Sequence, residues 1–405
     1  MRNKKTITII GAGPAGLSAA ITAKREAILN NIDIDIIILE QNDRIGRKLA
    51  ATGNGRCNLS NINMSSNFYN KEVKLLNNNF FNKQAVNNII KFFNSLGLLT
   101  KTDDEGRIYP YTLQALSVIE CLKLELDKLN ITVTTNFKTS TITKTNHEYI
   151  ITSDTDEKVR TDKIIFATGG LAHPNLGSNK SGYDLLKSLG HDITRLEPSL
   201  SSLKIKDYSP SLKGIRWRCD VKLTENKKII CENSGEVQFT EYGLSGIVIM
   251  QLSRYVSDLK NQSVILDLMP EYSPNDILSI ITYAYDNSTD PENLLLGLIN
   301  INLGKYLIKQ SDFNVKNKKE ILKKVASLIK NLKFDILNKM SYENAQITKG
   351  GINLYNINPD TFESSLKKDI YIIGEVLNVD GDCGGYNLHF AFNSGITAGK
   401  SILKN

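Results

Sequence analysis

Cysteine is scarce in this 405-residue chain, and what there is does not pair. The five cysteines, Cys57, Cys121, Cys219, Cys231 and Cys383, are odd in number, and no two stand at C-x-x-C spacing. That argues against a zinc site or a disulfide framework and fits a reducing compartment. Long apolar runs are also missing: no stretch approaches the ~18 residues that a bilayer span needs. No repeat of solenoid period is present. Met1-Arg2-Asn3-Lys4-Lys5 ahead of an apolar run imitates a signal peptide. That run, however, carries glycines and Pro14 in a pattern that cannot be both cleaved and used. These absences point to a cytoplasmic chain with no metal site and no membrane partner. The formal charge of +7 would suit an anionic ligand or nucleic acid, but lysines occur throughout the chain, which weighs towards ordinary solvated helix faces and against nucleic acid. With 41% hydrophobic and 23% charged residues, the chain is an ordinary globular one with room for two or three domains.

What is present is concentrated at the start. Thr6 to Ile10 is a β-branched run; Gly11-Ala12-Gly13-Pro14-Ala15-Gly16 reads G-x-G-x-x-G; Leu17 to Ala23 continues as a helix. A second apolar strand, Ile34 to Leu39, ends at Glu40. Strand, glycine turn, helix, strand and terminal acid in that order form the dinucleotide-binding βαβ unit. Gly11 permits the tight turn, Gly13 lets backbone approach a pyrophosphate, and Gly16 lets helix and strand pack closely. The helix start offers free N–H groups and partial positive charge to the phosphates. Glu40 stands where a carboxylate accepts from ribose hydroxyls. A glycine-rich turn with no ligand would not account for the acid.

Gly46 to Asn58 packs three glycines, three cations and two asparagines into thirteen residues, a poor core and a good anion-contacting loop. Val86, Ile89, Ile90, Phe93 and Leu96 recur at helical spacing, as do Leu113, Leu116, Ile119, Leu122, Leu126 and Leu129. Ile131–Thr135 reads as a strand, and 139–143 with 149–152 as an antiparallel meander. Lys163–Ala167 is a buried strand ending at Thr168-Gly169-Gly170. Ser181-Gly182-Tyr183-Asp184 opens a short helix. From Leu196 the texture changes to short strands, implying a β-barrel-like domain over 196–272. Ile277, Ile280, Ile281, Leu294, Leu298, Ile301, Leu332 and Ile336 predict a helical domain over 273–344. The first style then returns, with a strand from Asp369 to Gly374-Glu375, a glycine-rich loop from Asp380 to Asn387, and a closing helix from His389 to Leu403. The domain plan is one discontinuous nucleotide domain, 1–195 plus 345–405, with two inserted pieces.

The blocks Gly46–Asn58 (GRKLAATGNGRCN), 167–190 (ATGGLAHPNLGSNKSGYDLLKSLG), 237–254 (VQFTEYGLSGIVIMQLSR), 348–351 (TKGG) and 374–387 (GEVLNVDGDCGGYN) resemble, in order and over nearly the whole chain, the BaiN/YhiN-like family of bacterial flavoproteins. This family is also described as aminoacetone oxidase family FAD-binding enzymes. The GRCN and GEVLDVDG-type blocks are its specific marks; a generic dinucleotide fold would not supply both. Asn378 departs from the pattern, since an acid is usual before Val-Asp. The resemblance implies an α/β protein with a glutathione-reductase-like FAD-binding Rossmann domain and an inserted small β-barrel and helical domain. It implies FAD and an oxidoreductase often described as NAD(P)/FAD-dependent, with some members associated with bile-acid dehydroxylation. It fixes no substrate.

On that frame the residues take roles. The Gly11–Gly16 turn, Ala15 included, would hold the pyrophosphate, and Glu40 with Gln41 the adenosine ribose. Arg47 and Lys48 would neutralise phosphate or touch the adenine-side ribose. Asn54, Gly55, Arg56, Cys57 and Asn58 would run beside the ribityl chain and isoalloxazine. Phe137 follows the third strand, where this fold hydrogen-bonds adenine through backbone. Thr168 and Gly169 would lie beside the pyrophosphate, with Glu375 at the next strand end, and Asp380 would take a ribityl hydroxyl. Asn387 and Leu388 would open the last helix against the flavin, whose reduced form carries negative charge there. For chemistry, Tyr386 is the first choice to hydrogen-bond a carbonyl substrate, because it lies inside the flavin loop. Cys383, and less so Cys57, is a candidate redox thiol, and His389 a candidate proton donor. His173, Tyr183 and Tyr242 stand behind them. Arg216-Trp217-Arg218 reads as a strand of alternating charge rather than a nucleic-acid patch.

Only one G-x-G-x-x-G occurs, so a nicotinamide, where used, binds transiently near the flavin. The leading expectation is an FAD-dependent oxidoreductase moving hydride between a small organic substrate and flavin, with NAD(P)H as reductant; the insert would cover the isoalloxazine. The alternatives are a flavin-dependent enzyme directed at RNA, motivated by the net charge and the lysine-rich segment from Lys316 to Lys333, and a non-catalytic FAD protein. The oligomeric state is not fixed by the sequence.

Overall fold

The computed structural model describes residues 4–257, 261–287, 293–311 and 317–404. Met1–Asn3 of the basic start and Lys316 of the lysine-rich segment lie outside the described residues. The chain forms two compact units, Met1–Glu197 with Ile347–Asn405, and Pro198–Gln346.

The first unit is built on a five-stranded parallel sheet in the order Ile370–Ile372, Lys163–Phe166, Lys5–Ile10, Ile34–Leu39, Thr132–Thr134. Ile9, Ile38, Ile164, Ile165 and Ile372 are fully enclosed, as expected of parallel strands covered on both faces. The helix Pro14–Leu29 follows the first strand directly. Against it packs the closing helix Tyr386–Ser401, at a spacing that only glycine allows: a Cβ on Gly395 would stand 2.2 Å from Ser18 Oγ and 2.3 Å from the Ala15 carbonyl oxygen. Ser18 Oγ donates to the Phe392 carbonyl across this seam at 3.2 Å. The two ends of the chain therefore meet in one layer beside the sheet. The helices Lys83–Ser95 and Ala115–Lys128 stand where periodicity put them, the helix Ser181–Ser188 begins where expected, and the strands Thr139–Lys144 and Tyr149–Ser153 are joined by a third, Lys158–Thr161, that the sequence pattern did not reveal.

The second unit is a closed six-stranded barrel in the order Leu203–Ile205, Gly243–Ser245, Lys228–Phe239, Arg216–Glu225, Gln262–Asp267, Leu332–Lys339. The helices Pro274–Asn287, Ile301–Gln310 and Lys318–Lys330 lie between its last two strands in the sequence. This corrects two expectations. Leu332 and Ile336 are not helical: with Phe334 they are the inward positions of the barrel's last strand. Nor does a boundary at 272/273 separate two cores, because one apolar cluster runs from Leu203 through Leu307 and Val325 to Ile336. Arg218 pairs across the hairpin with Glu236, and Lys222 with Glu232, giving a face of alternating sign.

Candidate flavin site

The glycine turn has the geometry its spacing implies. Gly11 sits at φ +107, and a Cβ there would meet the Ala167 carbonyl oxygen at 2.4 Å; one on Gly16 would meet the Gly11 carbonyl oxygen at 2.0 Å. Gly13 is different: nothing lies within 4 Å of where its Cβ would be. The helix that starts there has Pro14 in its first turn and no side-chain cap, so its first N–H groups are left to an outside acceptor. The closing helix likewise begins after Gly385 with no side-chain cap and no acid in its first turn. Two buried oxygens in the same unit, Thr168 Oγ1 and Asn58 Oδ1, have no hydrogen-bond partner among the described residues. Open space at Gly13, two uncapped helix starts and two orphaned oxygens fit a bound dinucleotide, which would supply phosphate to the first and hydroxyl or amide groups to the others.

Glu40 is buried, and its carboxylate accepts from Ala12 N–H at 2.8 Å, from Asn42 N–H at 2.8 Å and from Asn42 Nδ2 at 2.7 Å. It thus braces the glycine turn against the end of the second strand, as well as standing where a ribose would lie. Gln41 Nε2 donates to the Gly177 carbonyl at 2.6 Å, and its Oε1 accepts from Asn179. Arg47 reaches Asn42 Oδ1 and the Asn175 carbonyl. Lys48 Nζ stands 2.8 Å from Glu375 Oε2, and Glu375 Oε1 accepts from Thr348 N–H at 3.0 Å. Thr348 Oγ1 in turn accepts from Leu171 N–H at 2.7 Å. A Cβ on Gly170 would strike this pair, at 2.5 Å from Thr348 Oγ1 and 2.7 Å from Glu375 Oε1. Phe137 is buried and its N–H is committed to the Glu40 carbonyl at 2.9 Å, leaving only its carbonyl for an adenine.

The loop from Gly53 holds four left-handed residues, Gly53, Asn54, Gly55 and Cys57. Its tip, Asn54 to Arg56, is exposed, and Arg56 lies over the Tyr109 ring at 5.3 Å. Cys57 beneath it is fully enclosed, and burial pushes its thiol up to about 12. Enclosed and held protonated by that burial, Cys57 stands in the loop as a packing residue.

The glycine loop before the closing helix is held from below. Asn387 Oδ1 accepts from Gly381 N–H at 2.8 Å and its Nδ2 donates to the Gly381 carbonyl at 2.9 Å, so its side chain is a brace rather than a free ligand group. Asn61 Nδ2 donates to the Gly384 carbonyl at 3.0 Å. Asp380 is buried beside Asn70, whose N–H donates to the Asp380 carbonyl at 2.9 Å. Leu388 is partly buried against the core, and Cys383 and Gly169 are partly exposed. Asn378 is buried against Asn70, which donates to its carbonyl at 3.0 Å.

One of the three candidates for chemistry is corrected. His389 is fully buried, with Nδ1 2.8 Å from Ser60 Oγ and Nε2 3.0 Å from the Phe80 carbonyl. Burial lowers its pKa from 6.5 to about 4, so it is a neutral structural histidine with both nitrogens engaged, not a proton donor. Tyr386 is also packed. Its ring stacks on Phe68 with centroids 4.5 Å apart, its carbonyl accepts from Tyr69 OH at 2.8 Å, and burial raises its phenol to about 12. Its ring shapes the loop, and the raised pKa keeps its hydroxyl protonated as a hydrogen-bond donor. Thr348, Asn42, Asn61, Asn70 and Tyr69 were not singled out for roles. The TKGG block marks Thr348; nothing local distinguishes the others from ordinary loop residues.

Sheet, glycine turn and uncapped helix starts together fit one class, that of flavin-dependent oxidoreductases. The chain belongs to the HI0933-like family, whose Rossmann-domain model matches residues 5–401. It is 34% identical to a 3-dehydro-bile acid delta(4,6)-reductase of Clostridium scindens, over 98% of this chain and 99% of the relative. It is 26% identical to a ribosomal RNA dihydrouridine synthase of Haemophilus influenzae, over 98% of each chain. The fold also resembles a 3-ketosteroid delta1-dehydrogenase of Sterolibacterium denitrificans, with a TM-score of 0.51 at 10% identity over 99% of each chain. Among the described residues no helix is long and apolar enough to cross a membrane.

Proposed function

We propose that this chain binds FAD and reduces a carbon–carbon double bond conjugated to a carbonyl in a small organic substrate, with NAD(P)H as a transiently bound reductant. The observation that carries the reading is the pair of uncapped helix starts at Pro14 and Tyr386, on two helices whose close packing Gly395 permits. The first would take the pyrophosphate with Gly11, Gly13, Ala15 and Gly16. The second would oppose the negative charge of a reduced isoalloxazine. FAD would supply the relay of two electrons and a proton between nicotinamide and substrate. In balance, the nicotinamide gives up a hydride; the alkene gains a hydride at the carbon β to the carbonyl and a proton from solvent at the α carbon. Glu40, Thr168 and Asp380 would take cofactor hydroxyls, while Lys48 is held by Glu375 near Gly170. Support for an alkene as substrate comes from the relatives: a bile acid reductase and dihydrouridine synthases are both named for saturating a ring double bond.

Anaerobic stopped-flow of the yellow protein tests this. NADPH or NADH should bleach the flavin absorbance, and an oxidised 3-keto-4-ene steroid or a similar enone should restore it. Bleaching by neither nicotinamide would sink the reductase reading and leave an oxidase in its place. A second reading, the same reduction carried out on uracil in RNA, is favoured by the full-length likeness to two ribosomal RNA dihydrouridine synthases. Dihydrouridine formed in RNA incubated with enzyme and NADPH would select it.

A further inference from the structure

Lysines occur along the whole chain, but their excess over acids does not. Between Ile301 and Lys339 there are ten lysines against Asp312, Glu320 and Asp335, so this stretch alone carries a charge equal to the chain's formal +7. Two of its helices, Ile301–Gln310 and Lys318–Lys330, share one apolar core. Each presents exposed lysines one turn apart, Lys305 with Lys309 and Lys319 with Lys323. None of these four forms an ion pair among the described residues. The sole carboxylate on the two helices is Glu320. Several other lysines of the same unit are paired: Lys330 meets Asp267 at 2.7 Å, Lys333 meets Asp335 at 2.8 Å, Lys318 pairs with Asp286, and Lys222 faces Glu232 across the hairpin. Like charges at i,i+4 disfavour a helix. Glu320, three residues before Lys323, is the one carboxylate there to offset these pairs, so a net positive surface is left that an anion outside the chain would neutralise.

We propose that these two exposed lysine pairs, Lys305 with Lys309 and Lys319 with Lys323, bind the phosphate backbone of RNA. Ammonium groups on flexible stems at one-turn spacing suit a row of phosphates and read no base, so the contact gives affinity and position rather than sequence choice. The proposal rests on the second reading above as regards the partner. Its test separates the two, because binding is measured without turnover.

The experiment uses the full-length holoenzyme and a fluorescein-labelled RNA hairpin of about 30 nucleotides, read by anisotropy from 50 to 300 mM KCl. Wild type should bind at 50 mM, and its affinity should fall steeply as salt rises. The quadruple variant K305Q/K309Q/K319Q/K323Q should bind at least tenfold more weakly, with a log–log salt slope shallower by about 3, roughly 0.7–0.9 per lysine removed. Bleaching by NADPH and the melting temperature should match wild type, showing an intact fold and flavin site. The charge-reversed quadruple Lys→Glu variant should abolish binding. Absence of wild-type binding at 50 mM, an unchanged slope in the glutamine variant, or tighter binding to vesicles of anionic phosphatidylglycerol than to the hairpin would each overturn the proposal. If NADPH does not bleach the flavin but the RNA slopes behave as described, the reductant assignment fails and the role of these lysines stands.

Discussion

At the scale of single residues, the structure separates groups that could carry chemistry from groups that merely look able to. His389 sits in the loop–helix block that marks the family, yet its surroundings remove it from acid–base work. Its Nε2 proton goes to the Phe80 carbonyl and its Nδ1 faces the Ser60 hydroxyl. A cation there would have no water and no carboxylate, which is why the pKa falls to about 4. The consequence is a pH-dependent stability of known sign. The unfolded chain takes up a proton near pH 6.5 and the native chain only near pH 4, so His389 favours the fold fully above pH 6.5. That contribution is lost as pH falls towards 4, by roughly 3 kcal/mol. His389→Gln should lower stability at pH 7.5 by about 2 kcal/mol, because one of the two buried partners is left unmet. The gap to wild type should then shrink below pH 6.5, close at about pH 5 and reverse by about pH 4.5. Melting temperature against pH for the two proteins checks this; a constant gap would mean that the imidazole does not titrate as described. Cys57 follows the same logic in the other direction, its burial keeping the thiol protonated.

At the scale of elements, the sequence was most legible where one period dominated. The βαβ unit, the two amphipathic helices at Lys83–Ser95 and Ala115–Lys128, and the first two strands of the meander each follow from spacing alone. The last barrel strand did not, because Leu332 and Ile336 satisfy i,i+4 as well as alternation; Phe334 between them decides for the strand. The closing helix hid its inner residues for the opposite reason. Ala391, Asn393, Ser394, Gly395, Ala398 and Gly399 are all buried, so polarity gives no sign of which face meets the core, and His389 and Tyr386 look as exposed as any loop residue. In the site itself, the glycines were legible and the braces were not, since Asn61 and Asn70 act through distant partners and Asn42 acts by holding the Glu40 carboxylate. The glycine turn can be dissected on this basis. Gly16→Ala drives a methyl to 2.0 Å from the Gly11 carbonyl oxygen and should cost about 1–3 kcal/mol of apoprotein stability. Gly13→Ala meets no protein atom within 4 Å and should leave the apoprotein melting temperature unchanged. Its methyl would instead occupy the space kept for the pyrophosphate and should weaken FAD binding by about tenfold or more, near 1.4 kcal/mol. Apoprotein melting and FAD titration by flavin fluorescence quenching separate the two effects. Equal loss of stability in both variants would show that Gly13 is kept for packing instead.

At the scale of the whole molecule, a chain that leaves one unit at Glu197 and returns at Ile347 raises the question of whether the two can be parted. Each has its own apolar core. In the first unit the strands on either side of the break are already joined: Thr194 N–H donates to the Gly351 carbonyl at 2.9 Å, and Gly351 N–H to Thr194 Oγ1 at 3.0 Å. In the second, Met340 N–H donates to the Ser202 carbonyl at 2.9 Å and Gln346 N–H to the Leu200 carbonyl at 3.2 Å, so its two ends also lie together. A short loop can therefore replace the insert at small entropic cost, since closing such ends demands little ordering of the chain. Replacing 198–346 by a short glycine–serine linker should give a folded protein that still retains FAD, because every residue assigned to the cofactor lies in the first unit. The isolated segment 198–346 should unfold in one cooperative transition of its own, because the barrel is closed by its first and last strands. The trimmed protein should lose turnover while keeping its colour, if the insert forms part of the substrate site. Absorbance at the flavin band, circular dichroism melts of both pieces and turnover of the trimmed protein read these outcomes. A colourless trimmed chain, or an insert that melts without cooperativity, would show that cofactor and barrel depend on one another for folding.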